Sequence, residues 1–205
     1  MSQQYSIRFT NNSTNAGSAC IFQKNHGNLP HNTFSLAWLT RYCNPGMQSN
    51  FSWVIEYSFV WGATGMLKPG LTFNASQMVA AGLTSNNQIA LNYNNGSFML
   101  EGQGTGSPAG SLYINETASI PMNTASVGIG MSGAGTFVTQ AQPNMRLAFS
   151  PQPTYCVAFG NFNPGQVLNT NGMGNSAQVT FPANVYTMYV VLNPDNSWSI
   201  SPSRM

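Results

Sequence analysis

Phe51-Ser52-Trp53-Val54-Ile55-Glu56-Tyr57-Ser58-Phe59-Val60-Trp61 is the stretch whose reading decides the fold class. Phe51, Trp53, Ile55, Tyr57, Phe59 and Trp61 fall at every second position, with Val54, Glu56, Ser58 and Val60 between them. A period of two sends alternate side chains to opposite faces of a sheet. The spacing therefore predicts one continuous strand with an aromatic face.

The same alternation recurs on both sides of this stretch. Tyr5, Ile7 and Phe9 alternate with Ser6 and Arg8, and a polar turn leads into Ser18–Gln23. Gln88–Tyr93 and Ser97–Glu101 flank Asn94-Asn95-Gly96, a hairpin signal because Asn-Gly accepts positive φ. Further short strands are expected at 111–115, 136–140, 145–149, 155–159, 178–181, 185–192 and 197–200. Many short strands with Gly, Pro and Asn between them predict an all-β chain. The expected architecture is a single-domain antiparallel β-sandwich over residues 1–205, of jelly-roll or Greek-key type. Phe34–Cys43 reads either as a short helix, capped by Asn32 or Thr33 and stopped by Asn44-Pro45-Gly46, or as an irregular strand.

Composition bounds function more tightly than any motif. Only 5% of the 205 residues are charged, against 42% hydrophobic and 12% aromatic. An ordinary domain carries about 25% charge, and that charge keeps copies apart. Here 25 asparagines, 22 serines, 16 threonines and 12 glutamines supply the polar surface. Such an exterior offers little electrostatic repulsion between identical molecules, and it suits neutral polar ligands such as glycans. Arg8, Lys24, Arg41, Lys68, Arg146 and Arg204 are scattered singly. No basic stripe exists to release counterions from a nucleic acid.

Met1–Arg8 lacks the apolar segment of a signal peptide, and no uncharged apolar run approaches the roughly 20 residues of a membrane-spanning helix. Synthesis in the cytoplasm is expected, with release by a non-classical route left open. Cys20, Cys43 and Cys156 are an odd number and read as reduced, mostly buried thiols.

The motifs give little chemistry. Gly128, Gly130 and Gly133 spell a literal G-x-G-x-x-G, but a strand-like pattern follows and Asp195 is the next acid after Glu116. A dinucleotide site needs a helix and an acid roughly 20 residues on, so a tightly packed or bulged sheet segment is expected and no cofactor. Cys20, His26, His31 and Cys43 are of zinc-binding type, but their spacing matches neither a finger nor a ribbon. Catalysis by paired carboxylates would have to draw on Glu56, Glu101, Glu116 and Asp195, with His26 and His31 as bases. A pocket gathering Glu101, Glu116 and a histidine would argue for an enzyme. The loops holding Asn161, Phe162, Asn163, Asn196 and Trp198 combine amides with aromatics, the chemistry of a sugar site. The same residues are also good turn formers.

Ser35–Tyr42 and Ala125–Asn144, together with Tyr5–Ser13 and the aromatic stretch around Trp53–Trp61, resemble the RhiA-type proteins. This is a bacterial group named for abundant, quorum-controlled expression by rhizobia near plant roots. The resemblance implies an abundant bacterial protein in a host or cell–cell setting, and it brings no established reaction, cofactor or catalytic residues. From the residues themselves the leading expectation is a non-enzymatic protein that self-associates into a homo-oligomer, filament or crystalline inclusion. A lectin-like glycan binder is second, and a membrane-binding β-sandwich third.

Overall fold

A computed structural model describes residues 3–203. Among these residues the chain forms strands and no helix. In chain order they are β1 (Gln4–Asn11), β2 (Gly17–Asn25), β3 (Phe34–Ser35), β4 (Leu39–Cys43), β5 (Gln48–Val54) and β6 (Tyr57–Gly62). Then come β7 (Gln77–Ala81), β8 (Gln88–Asn94), β9 (Ser97–Gly104), β10 (Leu112–Glu116), β11 (Ser126–Met131) and β12 (Ala134–Gln140). The last are β13 (Arg146–Phe149), β14 (Pro153–Gly160), β15 (Ser176–Val179), β16 (Thr187–Leu192) and β17 (Trp198–Ser201). No helix of the described residues is long and apolar enough to cross a membrane.

Four sheets result, in the orders β17-β16-β1-β5, β15-β14-β2-β4, β3-β12-β11-β6-β7 and β13-β10-β8-β9. The first two enclose one core, where Ile7 and Phe9 of β1 and Trp53 of β5 meet Ile21 of β2 and Val157 of β14. The last two enclose a second, with Phe59, Ile129 and Phe137 against Leu91, Ile114 and Phe149. Two smaller clusters lie on outer sheet faces. One covers Cys20, Phe22, Cys156 and Ala158; the other covers Val60 and Val138 with Leu67, Phe73 and Val167. Met131 links the two halves. It belongs to β11 yet packs into the first core, and its carbonyl accepts a 2.9 Å hydrogen bond from Trp38 Nε1.

The all-β expectation holds, with three differences of detail. The aromatic stretch 51–61 is two strands, because the chain turns at Ile55-Glu56. Glu56 N–H donates to Val54 O, and Ser132 N–H donates to Glu56 O at 2.9 Å. Phe51 and Trp53 therefore enter the first core and Phe59 the second, while Ile55 is 45% exposed at the corner. Phe34–Cys43 is not a helix. Its two ends pair with different sheets, β3 with β12 and β4 with β2, and these ladders satisfy backbone groups that a helix would have paired internally. Finally, the sheets are not wholly antiparallel, since β1 pairs with β16 and β8 with β10 in parallel.

The glycine-rich segment is sheet. β11 and β12 are joined through Ser132 and Gly133, both at positive φ, and the ladder has a bulge between Ile129 and Gly130.

Candidate functional site

Three surface features carry polar or reactive groups. The first is a rim. β17 ends one sheet of the first sandwich and β15 ends the other. Trp198 Nε1 donates to Asn175 Oδ1 at 2.6 Å, which ties the two edges together. Neither Ser176–Val179 nor Trp198–Ser201 carries a charged side chain. β5, the far end strand of the β17 sheet, is uncharged as well, while the remaining end strands differ. β4, β9 and β13 hold Arg41, Glu101 and Arg146. Across β7, Gln103 donates to Ala80 O, and beside β3 the Leu168 N–H donates to Ser35 O at 2.9 Å. Next to β15 lies a hollow of about 360 Å³ lined by Tyr5, Ile55, Tyr57, Tyr155, Gln178 and Phe181. Its walls are aromatic because Tyr5, Trp53, Tyr155 and Phe181 pack ring against ring at the end of the first core.

The second feature is a trough of about 450 Å³ on the outer face of the β17-β16-β1-β5 sheet. Alternation along β1 buries Ile7 and Phe9, so Arg8 faces outward. The parallel register sets Arg8 beside Tyr189, with the guanidinium carbon 5.7 Å from the ring centroid. Thr10, Asn12, Gln48, Asn193 and Ser199 complete the polar lining. Asn193 Nδ2 donates to Ser197 Oγ at 3.0 Å and Ser199 Oγ at 2.9 Å, so one wall is fixed before any ligand arrives.

The third is a cleft of about 530 Å³ at one end of the second sandwich. Leu112 and Ile114 of β10 point into the core, and the same alternation carries Glu116 inward. Glu116 is only 4% exposed. Its Oε1 accepts from the Gln142 N–H at 3.1 Å, and its Oε2 has no hydrogen-bond partner. Burial pushes the carboxyl up to about 7, and the Gln142 N–H pulls the other way. Pro30, His31, Phe34, Thr139, Gln140 and Met145 also line the cleft. Thr139 Oγ1 donates to His31 O at 3.3 Å, which holds the histidine loop against β12.

The residues singled out in the sequence are dispersed. Cys20 lies on the outer-face cluster with Cys156, whereas Cys43 faces the first core, where it sits 3.0 Å from Ser49 Oγ. His26 follows β2 and His31 lies at the Glu116 cleft. Among the described residues no three His, Cys, Asp or Glu side chains form a metal-holding group, so Cys20, His26, His31 and Cys43 are not brought together as ligands. Burial holds the Cys20 thiol well above its ordinary range, which keeps it protonated. Phe162 packs on the cluster around Cys20. Trp198 packs on the first core against Phe9, at 6.2 Å between ring centroids. The two aromatics thus serve opposite faces of the β2–β14 layer and make no common platform. Asn161 and Asn163 follow β14, where the Asn163 N–H donates to Gln166 Oε1 at 3.0 Å, and Asn196 turns the β16–β17 hairpin at φ 63°. Glu101 is on β9, where it accepts from Asn92, and it does not line the Glu116 cleft. Glu116 and His31 do share a cleft, a pairing no local motif announces because 85 residues separate them.

A family model described as RhiA matches residues 2–203. Protein RhiA of Rhizobium leguminosarum bv. viciae is 38% identical over 209 residues, covering 98% of this chain and 87% of that protein. No solved structure matches the chain. With nearly the whole sequence matched, this chain belongs to the RhiA family.

Proposed function

We propose that the chain is a non-enzymatic protein that works by contact with copies of itself, assembling into a homo-oligomer or larger array. The observation that carries this reading is the uncharged β15/β17 rim beside an aromatic hollow. Edge strands present unpaired N–H and C=O groups along their open side, and proteins that stay monomeric commonly guard them with lysine or proline. Here only Lys24 and Lys68 exist in the whole chain, and neither is on that rim. A neighbour's strand added to β15 would lay side chains toward the hollow, with no charge to strip of water. The resemblance to RhiA-type proteins implies an abundant bacterial protein in a host or cell–cell setting, which would fit such a role.

Replacing Gln178 and Ser201 with lysine tests it, since both lie on the rim and neither is fully buried. The double variant is expected to fold as the parent does and to lose higher-mass species in light scattering. Unchanged assembly of the folded variant would remove the rim from the account.

A second reading, a glycan-binding protein, is favoured by the trough. Its amides, hydroxyls and Tyr189 are the groups that bind sugars through directional hydrogen bonds and ring contacts. This site replaces the one expected from Asn161, Phe162, Asn163, Asn196 and Trp198. A glycan array with the parent and with Gln48→Ala checks it, and the absence of any sugar that Gln48→Ala weakens would dismiss it.

A further inference from the structure

We propose that the cleft around Glu116 binds a small monoamine with an apolar body, its ammonium group seated against the Glu116 carboxylate. A carboxyl oxygen buried without a hydrogen-bond partner costs free energy, and such an atom in a cleft calls for a donor. Glu116 Oε2 is buried without a partner on a residue that lines the cleft, while Oε1 already accepts from the Gln142 N–H. The cavity, about 530 Å³, lies within the range that holds small ligands.

The lining selects the class. Pro30, Phe34, Leu67 and Met145 form apolar walls suited to a hydrocarbon or aromatic stem. No other acid lines the cleft, so one positive charge is matched and a second is not. Among the described residues no cation hydrogen-bonds to the Glu116 carboxylate. Arg146 borders the cleft, but its guanidinium carbon sits 4.8 Å over the Tyr113 ring, and Nη2 donates to Ser107 O at 3.4 Å. Gln140 and Thr139 of β12 are neutral, and so is Leu91, the β8 partner of Glu116. His31 and Arg146 are the other titratable groups on the lining, and a positive charge on either opposes an ammonium. Burial holds the carboxyl near neutral pKa, against the opposing pull of the Gln142 N–H. An incoming ammonium would draw it down and release a proton.

The experiment is calorimetric titration of the full chain with 2-phenylethylamine, 2-phenylethanol and phenylacetate at pH 6 and pH 8. The amine is expected to bind at pH 8 and about tenfold more weakly at pH 6, where Glu116 is mostly protonated. Phenylethanol should bind far more weakly than the amine, and phenylacetate not at all. Glu116→Gln, checked for folding by circular dichroism, should abolish amine binding, whereas His31→Ala should keep most of the pH dependence. Equal binding of the alcohol, retained binding in folded Glu116→Gln, or no amine binding by the folded parent at pH 8 would each overturn the proposal. Self-association plays no part in this inference, and a monomeric chain would leave it intact.

Discussion

Gly128 and Glu116 show how single residues set the limits of this fold. A Cβ on Gly128 would stand 2.0 Å from Phe137 O, so β11 can lie this close to β12 only without a side chain there. Gly128→Ala should cost about 3 kcal/mol or more by the general cost of overpacking. Gly104→Ala, where a Cβ meets nothing within 4 Å, should stay within about 0.5 kcal/mol. Urea unfolding of the two variants beside the parent measures the contrast. Glu116 gives a pH signature. Its folded carboxyl titrates at about 7 against an ordinary 4.5, so the folded state binds its proton more tightly than the unfolded state. That contribution to stability is complete below about pH 4.5 and is lost as pH rises through about 7. Glu116→Gln should remove this slope, making the variant more stable than the parent at pH 8 and much closer to it at pH 4.5. Urea midpoints at the two pH values check this, and an unchanged slope would show that Glu116 is not its source.

At the scale of strands, local chemistry decides turns and distant chemistry decides partners. Asn95 and Gly96 take φ of 50° and 82° between β8 and β9, the two-residue hairpin that the Asn-Gly pair encodes. Gly96→Ala should destabilise by about 1 kcal/mol, because a Cβ disfavours that conformation although space is open around it. Thermal unfolding of the variant measures it. Period-two alternation made most of the other strands legible, among them β1, β8, β10 and β14. It did not reveal the corner at Ile55-Glu56, because the alternation of 51–61 runs through it unbroken while Ser132, from outside the stretch, hydrogen-bonds to Val54 N–H and Glu56 O where the backbone turns. The helix-like spacing of Phe34–Cys43 likewise yielded to sheet edges contributed by β2 and β12. The trough and the Glu116 cleft were illegible for the same reason. Arg8 meets Tyr189 through a parallel pairing, and Glu116 and His31, 85 residues apart, line one cleft.

Across the whole molecule, two sandwiches share Met131 and the Ile55-Glu56 corner, and with 5% of residues charged the exterior is covered mostly by neutral groups. Apolar side chains consequently reach the surface, with Tyr42 at 63%, Met122 at 61% and Met66 at 54% exposure. Exteriors of this kind associate through close packing and backbone pairing rather than ion pairs, so salt has little charge to screen. Sedimentation equilibrium of the full chain over a hundredfold concentration range, in low salt and in 1 M salt, addresses this most directly. The expected result is mass rising to multiples of 22.0 kDa with concentration, at nearly the same midpoint in both salts. A mass fixed at 22.0 kDa throughout, or assemblies that fall apart in 1 M salt, would contradict an uncharged self-contact surface.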